Sequence, residues 1–192
     1  MVQTRSKNRK DEILAYAIQL VQTQGFENFS YQDLSRELGI TKASIHHHFP
    51  RKEDLGVALC QLIKAWHERR FAEARHATQD PWARLDIYLQ WSLEYARGEN
   101  KICPLSSLQS DINLLPESMC KAIAELDEHE IAFIAELLEL GRQQAVMAFT
   151  GDARHQAMLL VLACKGALQY SRIHGLALFD QVMNQYKHTL AP

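Results

Sequence analysis

Apolar residues recur every three or four positions along almost the whole chain, and this feature sets the fold class. No segment alternates apolar and polar residues over the length of a strand, so the pattern predicts an all-α protein. Nine helices can be placed between glycine, proline and capping residues. Their predicted ranges are 7–24, 31–38, 42–49, 52–77, 81–97, 105–112, 116–140, 152–173 and 177–189.

The composition fits a globular chain. Hydrophobic residues make up 47% of the 192 residues and charged residues 23%, which excludes a disordered, collagen-like or disulfide-stapled chain. The longest apolar stretch, Ala157–Leu168, contains Lys165 and is too short to span a bilayer. No apolar run follows the basic N-terminus, so no signal peptide is visible and a cytoplasmic location is expected. The four cysteines show no paired spacing and are expected to be free thiols.

Charge is distributed unevenly along the chain. Residues 1–52 contain eight Lys/Arg and five Asp/Glu, whereas the remainder contains thirteen basic and eighteen acidic residues. A basic first segment on an acidic body indicates that the first segment meets a polyanion.

Residues 30–55, SYQDLSRELGITKASIHHHFPRKEDL, carry the most specific pattern. Two short helices flank a turn at Gly39, with Ser30 and Thr41 as N-cap candidates, which predicts a helix-turn-helix. The small residues Ala43 and Ser44 would let the second of these helices approach a surface closely. Its N-terminal end would enter a DNA major groove, where Lys42 can pair with a phosphate or a guanine edge.

This stretch resembles the N-terminal domain of TetR-family transcriptional repressors. The resemblance is carried by ILAYAIQLVQTQGFENFS, then by YQDLSRELGITKASIHHHF and the KEDL that follows. It covers residues 9–55 closely, and the remaining helices fit the nine-helix plan of the family with divergent sequence. It implies a DNA-binding domain over residues 1–51 and an effector-binding and dimerisation domain over residues 52–192.

The resemblance also implies which residues meet DNA. Arg5, Lys7 and Arg9 would form an arm near the DNA, and His46 stands where the family commonly has tyrosine. The residues expected at the phosphates or bases are Ser30, Tyr31, Gln32, Lys42, Ala43, Ser44, His46, His47 and Lys52.

Two runs of polar residues could suggest a metal site. Consecutive helical side chains point about 100° apart, so His46, His47 and His48 cannot converge on one ion. The run 127–130, Asp-Glu-His-Glu, is interpreted as a solvated face of a long helix. No metal and no cofactor are therefore expected.

A regulator of this family would hold a small-molecule effector in its larger domain. Mostly apolar cavities with a few polar groups are typical of such sites. The residues predicted to line one are Trp66, Trp82, Tyr88, Trp91, Tyr95, Cys103, Leu108, Phe133, Leu137 and Arg172.

Cys103 is singled out because it begins the sequence CPLSSL at the start of a short helix. The helix dipole would favour its thiolate, and Arg172 could add a positive charge. The segment is similar to a subgroup of TetR-type repressors that respond to electrophiles or oxidants through a cysteine at this point. The alternative is an inert cysteine beside the cavity.

The last two helices are the predicted dimer interface. Their apolar stripe comprises Ala157, Leu160, Val161, Cys164, Ala167, Leu168 and Ser171, continued by Leu178, Val182, Met183 and Tyr186. Two such helices from each chain would form a four-helix bundle.

The resulting hypothesis is a repressor that binds a palindromic operator as a homodimer and is released by a small-molecule, electrophilic or oxidising effector. An enzyme is not expected. The alternatives are an enzyme that uses Cys103 with His129, His155 or His174 as base, and an activator or nucleoid-associated protein of the same fold.

Overall fold

The computed structural model describes residues 9–97 and 101–192, and the regular structure in these ranges is entirely helical. The prediction of an all-α fold is confirmed. The helices are Arg9–Gln24 (α1), Tyr31–Leu38 (α2), Lys42–His48 (α3), Lys52–Ala77 (α4), Pro81–Arg97 (α5), Pro104–Ser110 (α6), Glu117–Gln143 (α7), Ala153–His174 (α8) and Ala177–Leu190 (α9), with a 3-10 turn at Ile112–Leu114.

Local capping explains the two short helices α2 and α3. Ser30 accepts a hydrogen bond from the N–H of Gln32, while its own N–H and hydroxyl donate to Asp33 Oδ2 at 2.9 and 2.7 Å. Gly39 ends α2 at φ +62°, a left-handed conformation that glycine adopts without strain. Thr41 then accepts from the N–H of Ser44 and begins α3. The predicted caps are confirmed.

α7 is longer than predicted. The sequence placed its end at Gly141, but the helix continues to Gln143. Gly141 is needed for a close approach instead, because a Cβ there would lie 2.4 Å from Met147 Sδ. The absence of a side chain at this position lets the segment after α7 fold back against the helix.

Interhelical contacts divide the chain into two compact units. The first comprises residues up to 64 together with 104–123, so α6 and the 3-10 turn group with α1–α3. The Ser107 hydroxyl donates to the Val21 carbonyl at 2.6 Å, and the Phe26 N–H donates to Asp111 Oδ2 at 2.8 Å. The functional boundary after residue 51 stays a prediction.

The second unit comprises residues 65–103 and 124–192. α8 packs against α5 and α9 around a large apolar core. The Tyr186 hydroxyl donates to the Gln156 carbonyl at 2.8 Å and joins α9 to α8. Within the described ranges no helix is long and apolar enough to cross a membrane.

The predicted dimer stripe of α8 lies inside the second unit's own core. Leu160, Val161, Cys164 and Ser171 are buried within the chain. A different strip of α8 is exposed: Met158, Leu159, Leu162, Tyr170 and Ile173. The periodicity correctly predicted an apolar helix, but the face predicted to meet a second chain is the one buried within this chain. α8 is apolar on two sides, and the sequence pattern does not show which side faces the chain's own core.

Candidate DNA interface and effector cavity

The outer surface of α3 is built from the predicted DNA-contacting residues. Lys42, Ala43, His46 and His47 are exposed, and Ser44 is half-buried. The inner surface is held by Ile45, which is completely buried. The buried anchor and the N-cap hold the backbone of this short helix in place, so that its outer side chains lie on the surface.

Tyr31 is buried beneath this surface. Its hydroxyl lies 2.9 Å from the Phe49 carbonyl and 2.7 Å from the Arg51 carbonyl, and its proton is donated to them. Burial, and then the charge of Asp54, raise the pKa of Tyr31 to about 12. The ring packs edge-on against His46 at a centroid distance of 4.8 Å. Tyr31 thus ties α2 to the end of α3 and supports His46.

The remaining predicted DNA contacts flank α3. Ser30 is committed to its cap, and Gln32 is exposed. Lys52 lies over the rings of Phe26 and Phe29, with Nζ 4.8 and 5.1 Å from the centroids. Burial lowers the pKa of Lys52, against the opposing pull of Glu27 and Asp111. Arg9 is exposed, whereas Arg5 and Lys7 lie outside the described residues.

Neither polar run forms a metal site. Among the described residues no group of three or more His, Cys, Asp or Glu side chains could hold an ion. The interpretation of 127–130 as a solvated face is wrong for Glu130, which is 7% exposed. Glu128, by contrast, is exposed and pairs with Arg154.

A partly enclosed cavity lies within the second unit. It measures about 40 Å³, which is room for about three water molecules. Its lining residues come from α4, α5, α7, α8 and the segment before α6: His67, Arg70, Phe71, Tyr88, Trp91, Ser92, Cys103, Glu130, Cys164, Lys165 and Leu168.

An ion pair forms the polar side of the cavity. Lys165 Nζ lies 3.0 Å from Glu130 Oε2, and the Tyr88 hydroxyl donates to Glu130 Oε1 at 2.8 Å. Burial lowers the pKa of Lys165, but Glu130, Cys103 and Asp127 outweigh it, so that the pKa is raised. Lys165 is therefore a stable cation. Burial and the charge of Glu130 also raise the pKa of Tyr88 well above its usual value.

The two cysteines of the cavity differ. Burial raises the pKa of the Cys164 thiol to about 12, which keeps it protonated and unreactive. Cys103 is half-buried and lines the cavity together with Lys165. His67 also lines the cavity, with a pKa lowered mainly by burial.

Three predicted effector residues line this cavity: Tyr88, Trp91 and Cys103. Phe133 stacks behind the lining residue Phe71 at 4.0 Å. The other predicted residues lie elsewhere. Leu137 is in the core of the second unit, Leu108 in that of the first, Trp66 is half-buried, and the Trp82 indole N–H donates to the Val146 carbonyl. The Tyr95 side chain lies outside the described part of the structure.

Arg172 does not line the cavity. It is exposed and contributes to a shallow groove with Gln169, Tyr170 and Ile173. The cation that lines the cavity with Cys103 is Lys165, which in the sequence only interrupts an apolar stretch. A lone charge on an otherwise apolar helix needs a buried partner, and this signal could have identified Lys165 and Glu130.

Comparison with known proteins identifies the family. The model described as bacterial regulatory proteins, tetR family, matches residues 13–59. The crystal structure of a TetR-family transcriptional regulator from Agrobacterium tumefaciens is 30% identical, with a TM-score of 0.90, over 95% of this chain and 97% of that one. The chain belongs to the TetR family.

Two characterised relatives add detail. The HTH-type transcriptional repressor NemR of Escherichia coli K12 is 26% identical over 167 residues, covering 85% of this chain and 84% of NemR. The nucleoid occlusion factor SlmA of Haemophilus influenzae is 24% identical over 163 residues, covering 83% and 73%. TetR-family regulators bind DNA and small-molecule effectors, generally as dimers. This TetR-family chain is a helix-turn-helix transcriptional regulator, and its homologues include transcriptional regulators.

Proposed function

We propose that this protein is a thiol-responsive repressor that binds a pseudo-palindromic operator as a homodimer. Residues 1–51 would bind DNA, and residues 52–192 would bind the effector and dimerise. The observation that carries the proposal is Cys103 beside the Lys165 ammonium in a small cavity. The relationship to the repressor NemR supports the direction of regulation.

The DNA-binding half of the proposal uses α3 of each chain. Its exposed N-terminal half would enter the major groove, with Lys42 at a phosphate or guanine and Ala43 and Ser44 allowing close approach. Gln32 and Lys52 would bind the flanking backbone. Ser30 and Tyr31 would act mainly by holding α2 and α3 in position.

Dimerisation would use α8 and α9. The exposed strip of α8 includes Leu162, which is 64% exposed, and Ile173, which is 82% exposed. Contiguous exposed apolar side chains mark an interaction surface. A twofold dimer would set two α3 helices one or more DNA turns apart, which accounts for a palindromic operator.

The effector would react at Cys103. With an α,β-unsaturated carbonyl, the thiolate adds to the β-carbon, the C=C electron pair moves to the carbonyl, and the α-carbon takes a proton from water. The proton that the thiol released earlier balances the addition. Because the cavity has room for about three water molecules, an adduct has to displace lining side chains such as Trp91. Release of DNA follows if the displaced conformer fits the operator less well.

The test is a selection of bound duplexes from random DNA, repeated after treatment with acrylamide, a small α,β-unsaturated amide. We expect a palindrome whose binding is lost on treatment, and retained on treatment of Cys103→Ser. Cys120→Ser is the matched control, because Cys120 is also half-buried but lies outside the cavity. A palindrome indifferent to acrylamide would exclude the thiol mechanism and leave a reversible ligand in the cavity.

A second candidate function is nucleoid occlusion, which the relationship to SlmA favours. Mapping of bound sites on the chromosome separates the two. Sites confined to one or a few promoters support the repressor, whereas many dispersed sites support nucleoid occlusion. Activation of the bound promoter would instead identify an activator. Failure to enrich any duplex would return attention to an enzyme dependent on Cys103.

A further inference from the structure

Three consecutive histidines at the end of α3 lie outside the set of residues that line the cavity. His46 and His47 are exposed, and His48 is half-buried. Imidazole is the side chain whose charge ordinarily changes between pH 5 and 8. A histidine on a surface that meets a polyanion therefore adds a pH-dependent positive charge at the interface, where it affects the binding affinity directly.

The hydrogen bond of His46 decides how it can meet a phosphate. Its Nδ1 lies 3.2 Å from the Pro50 carbonyl, which can only accept, so Nδ1 carries the proton and donates. In the neutral ring Nε2 then has a lone pair and no proton. Facing a phosphate oxygen, that lone pair is repelled. A second proton on the ring turns Nε2 into a charged donor.

His46 is held in this orientation. The Tyr31 ring packs edge-on against it, and the Tyr31 hydroxyl is anchored to the Phe49 and Arg51 carbonyls. The ring therefore cannot turn Nδ1 outward without losing its bond to Pro50 and its contact with Tyr31. In the described part of the chain Nε2 has no hydrogen-bond partner, and the side chain is exposed.

Apart from the histidines His47 and His48, the charged groups near His46 keep their charge between pH 6 and 8. Tyr31 remains neutral, because its pKa is raised to about 12. Lysine, arginine and aspartate side chains change charge well outside this range unless strongly perturbed. The titratable groups on the elements that contact His46 are Tyr31, Asp33, Arg36 and Glu37 on α2, Lys42, His47 and His48 on α3, and Arg51, Lys52, Glu53 and Asp54 after it.

We propose that His46 is a proton-dependent phosphate ligand, so that each half-site of the operator takes up a proton when the protein binds. The proposal depends on the proposed function, because it assumes that α3 meets DNA. Binding stabilises the protonated ring, and by linkage a fall in pH strengthens binding. The site therefore binds DNA more tightly in an acidified than in an alkaline environment.

The expected effect is large enough to measure. We expect the Kd for the selected operator to rise about a hundredfold between pH 6.0 and pH 8.0, since two charge-assisted hydrogen bonds are lost per dimer. The slope of log Kd against log salt should be steeper by about 2 at pH 6.0, because two more cations meet phosphates. A purely structural histidine would leave this slope unchanged.

Three variants test the assignment. His46→Gln retains a neutral donor and should make the Kd independent of pH over this range. His76→Gln, an exposed histidine on α4, should behave as the wild type does. His47→Gln tests whether the pH dependence of the Kd arises from His47 instead of His46. Circular dichroism at both pH values verifies that each variant is folded.

The outcomes are distinct. pH dependence and a salt-slope change that disappear in His46→Gln alone support the proposal. A wild-type Kd that does not vary with pH, or a dependence that survives in His46→Gln or disappears in His47→Gln, overturns it while leaving the repressor intact. Failure to bind any duplex at either pH defeats the proposed function and this inference with it.

Discussion

Lys165 places a positive charge inside the second unit on a helix whose neighbouring residues are mostly apolar. Its ammonium lies 3.0 Å from Glu130 and 3.4 Å from Asp127, and the side chain is only 15% exposed. The acidic neighbours raise its pKa in spite of burial. The carboxylates of Glu130 and Asp127 thus keep Lys165 positively charged, and the Lys165 ammonium in turn neutralises the buried charge of Glu130.

Lys165→Met keeps most of the aliphatic length and removes the charge. We expect the free energy of unfolding to fall by about 2–4 kcal/mol, because Glu130 is left buried without its cation. Alkylation of Cys103 by acrylamide at neutral pH should also slow, since the thiolate loses a neighbouring positive charge. Urea unfolding and mass spectrometry of the labelled protein measure the two effects.

Lys121→Met is the matched control. Lys121 pairs with Glu117 on the exposed surface of α7, so the free energy of unfolding should change by less than about 0.5 kcal/mol. Identical alkylation rates in the wild type and both variants would show that Lys165 has no influence on the thiol.

The site was only partly predictable because a cavity is assembled from residues far apart in sequence. Tyr88, Trp91 and Cys103 were identified from their residue types and positions. Glu130 was predicted to be solvated, since its neighbours Glu128 and His129 are polar. The burial of Glu130 depends on how α7 packs against α5 and α8, and the residues adjacent to Glu130 in sequence do not determine this packing.

At the scale of elements, the sequence does not show whether a glycine ends a helix or allows another segment to approach it closely. Gly25 and Gly39 end their helices at φ +87° and +62°, as predicted. The same reasoning at Gly141 was wrong, because a glycine is equally required where another segment approaches a helix closely. Helix starts were more predictable, since the caps Ser30 and Thr41 act through contacts within three residues.

Gly141→Ala tests this interpretation. Alanine in a helix interior ordinarily stabilises relative to glycine by about 1 kcal/mol. Here the added Cβ would lie 2.4 Å from Met147 Sδ and 3.0 Å from Met147 Cβ, so we expect a net loss of about 1–3 kcal/mol. Thermal unfolding measures the change. Gly141→Ala combined with Met147→Ala should recover part of it, because Met147 Sδ and Cγ are removed while the Cβ stays at 3.0 Å. A stabilised single variant would refute the close approach.

At the scale of the whole molecule, the proposed dimer would let two copies of the short helix α3 bind one operator together. α3 has seven residues and presents few side chains, so one copy binds weakly. Linking two copies makes the second contact intramolecular and raises the affinity without any new contact. If the chain dimerises as proposed, repression would depend on the exposed strip of α8 as much as on α3 itself.

Leu162→Glu places a charge in the middle of that strip, where Leu162 is 64% exposed in the single chain. If α8 covers α8 of a second copy, burying this carboxylate without a partner is costly, and we expect the protein to sediment as a monomer at micromolar concentration. Operator affinity should fall about a hundredfold, because each half-site is then bound alone. Leu114→Glu is the control for exposure, since Leu114 is 69% exposed on the 3-10 turn outside α8 and α9 and its replacement should leave the sedimentation coefficient unchanged. A Leu162→Glu protein that remains dimeric would place the interface on another surface, and the palindromic operator would then need a different pairing of chains.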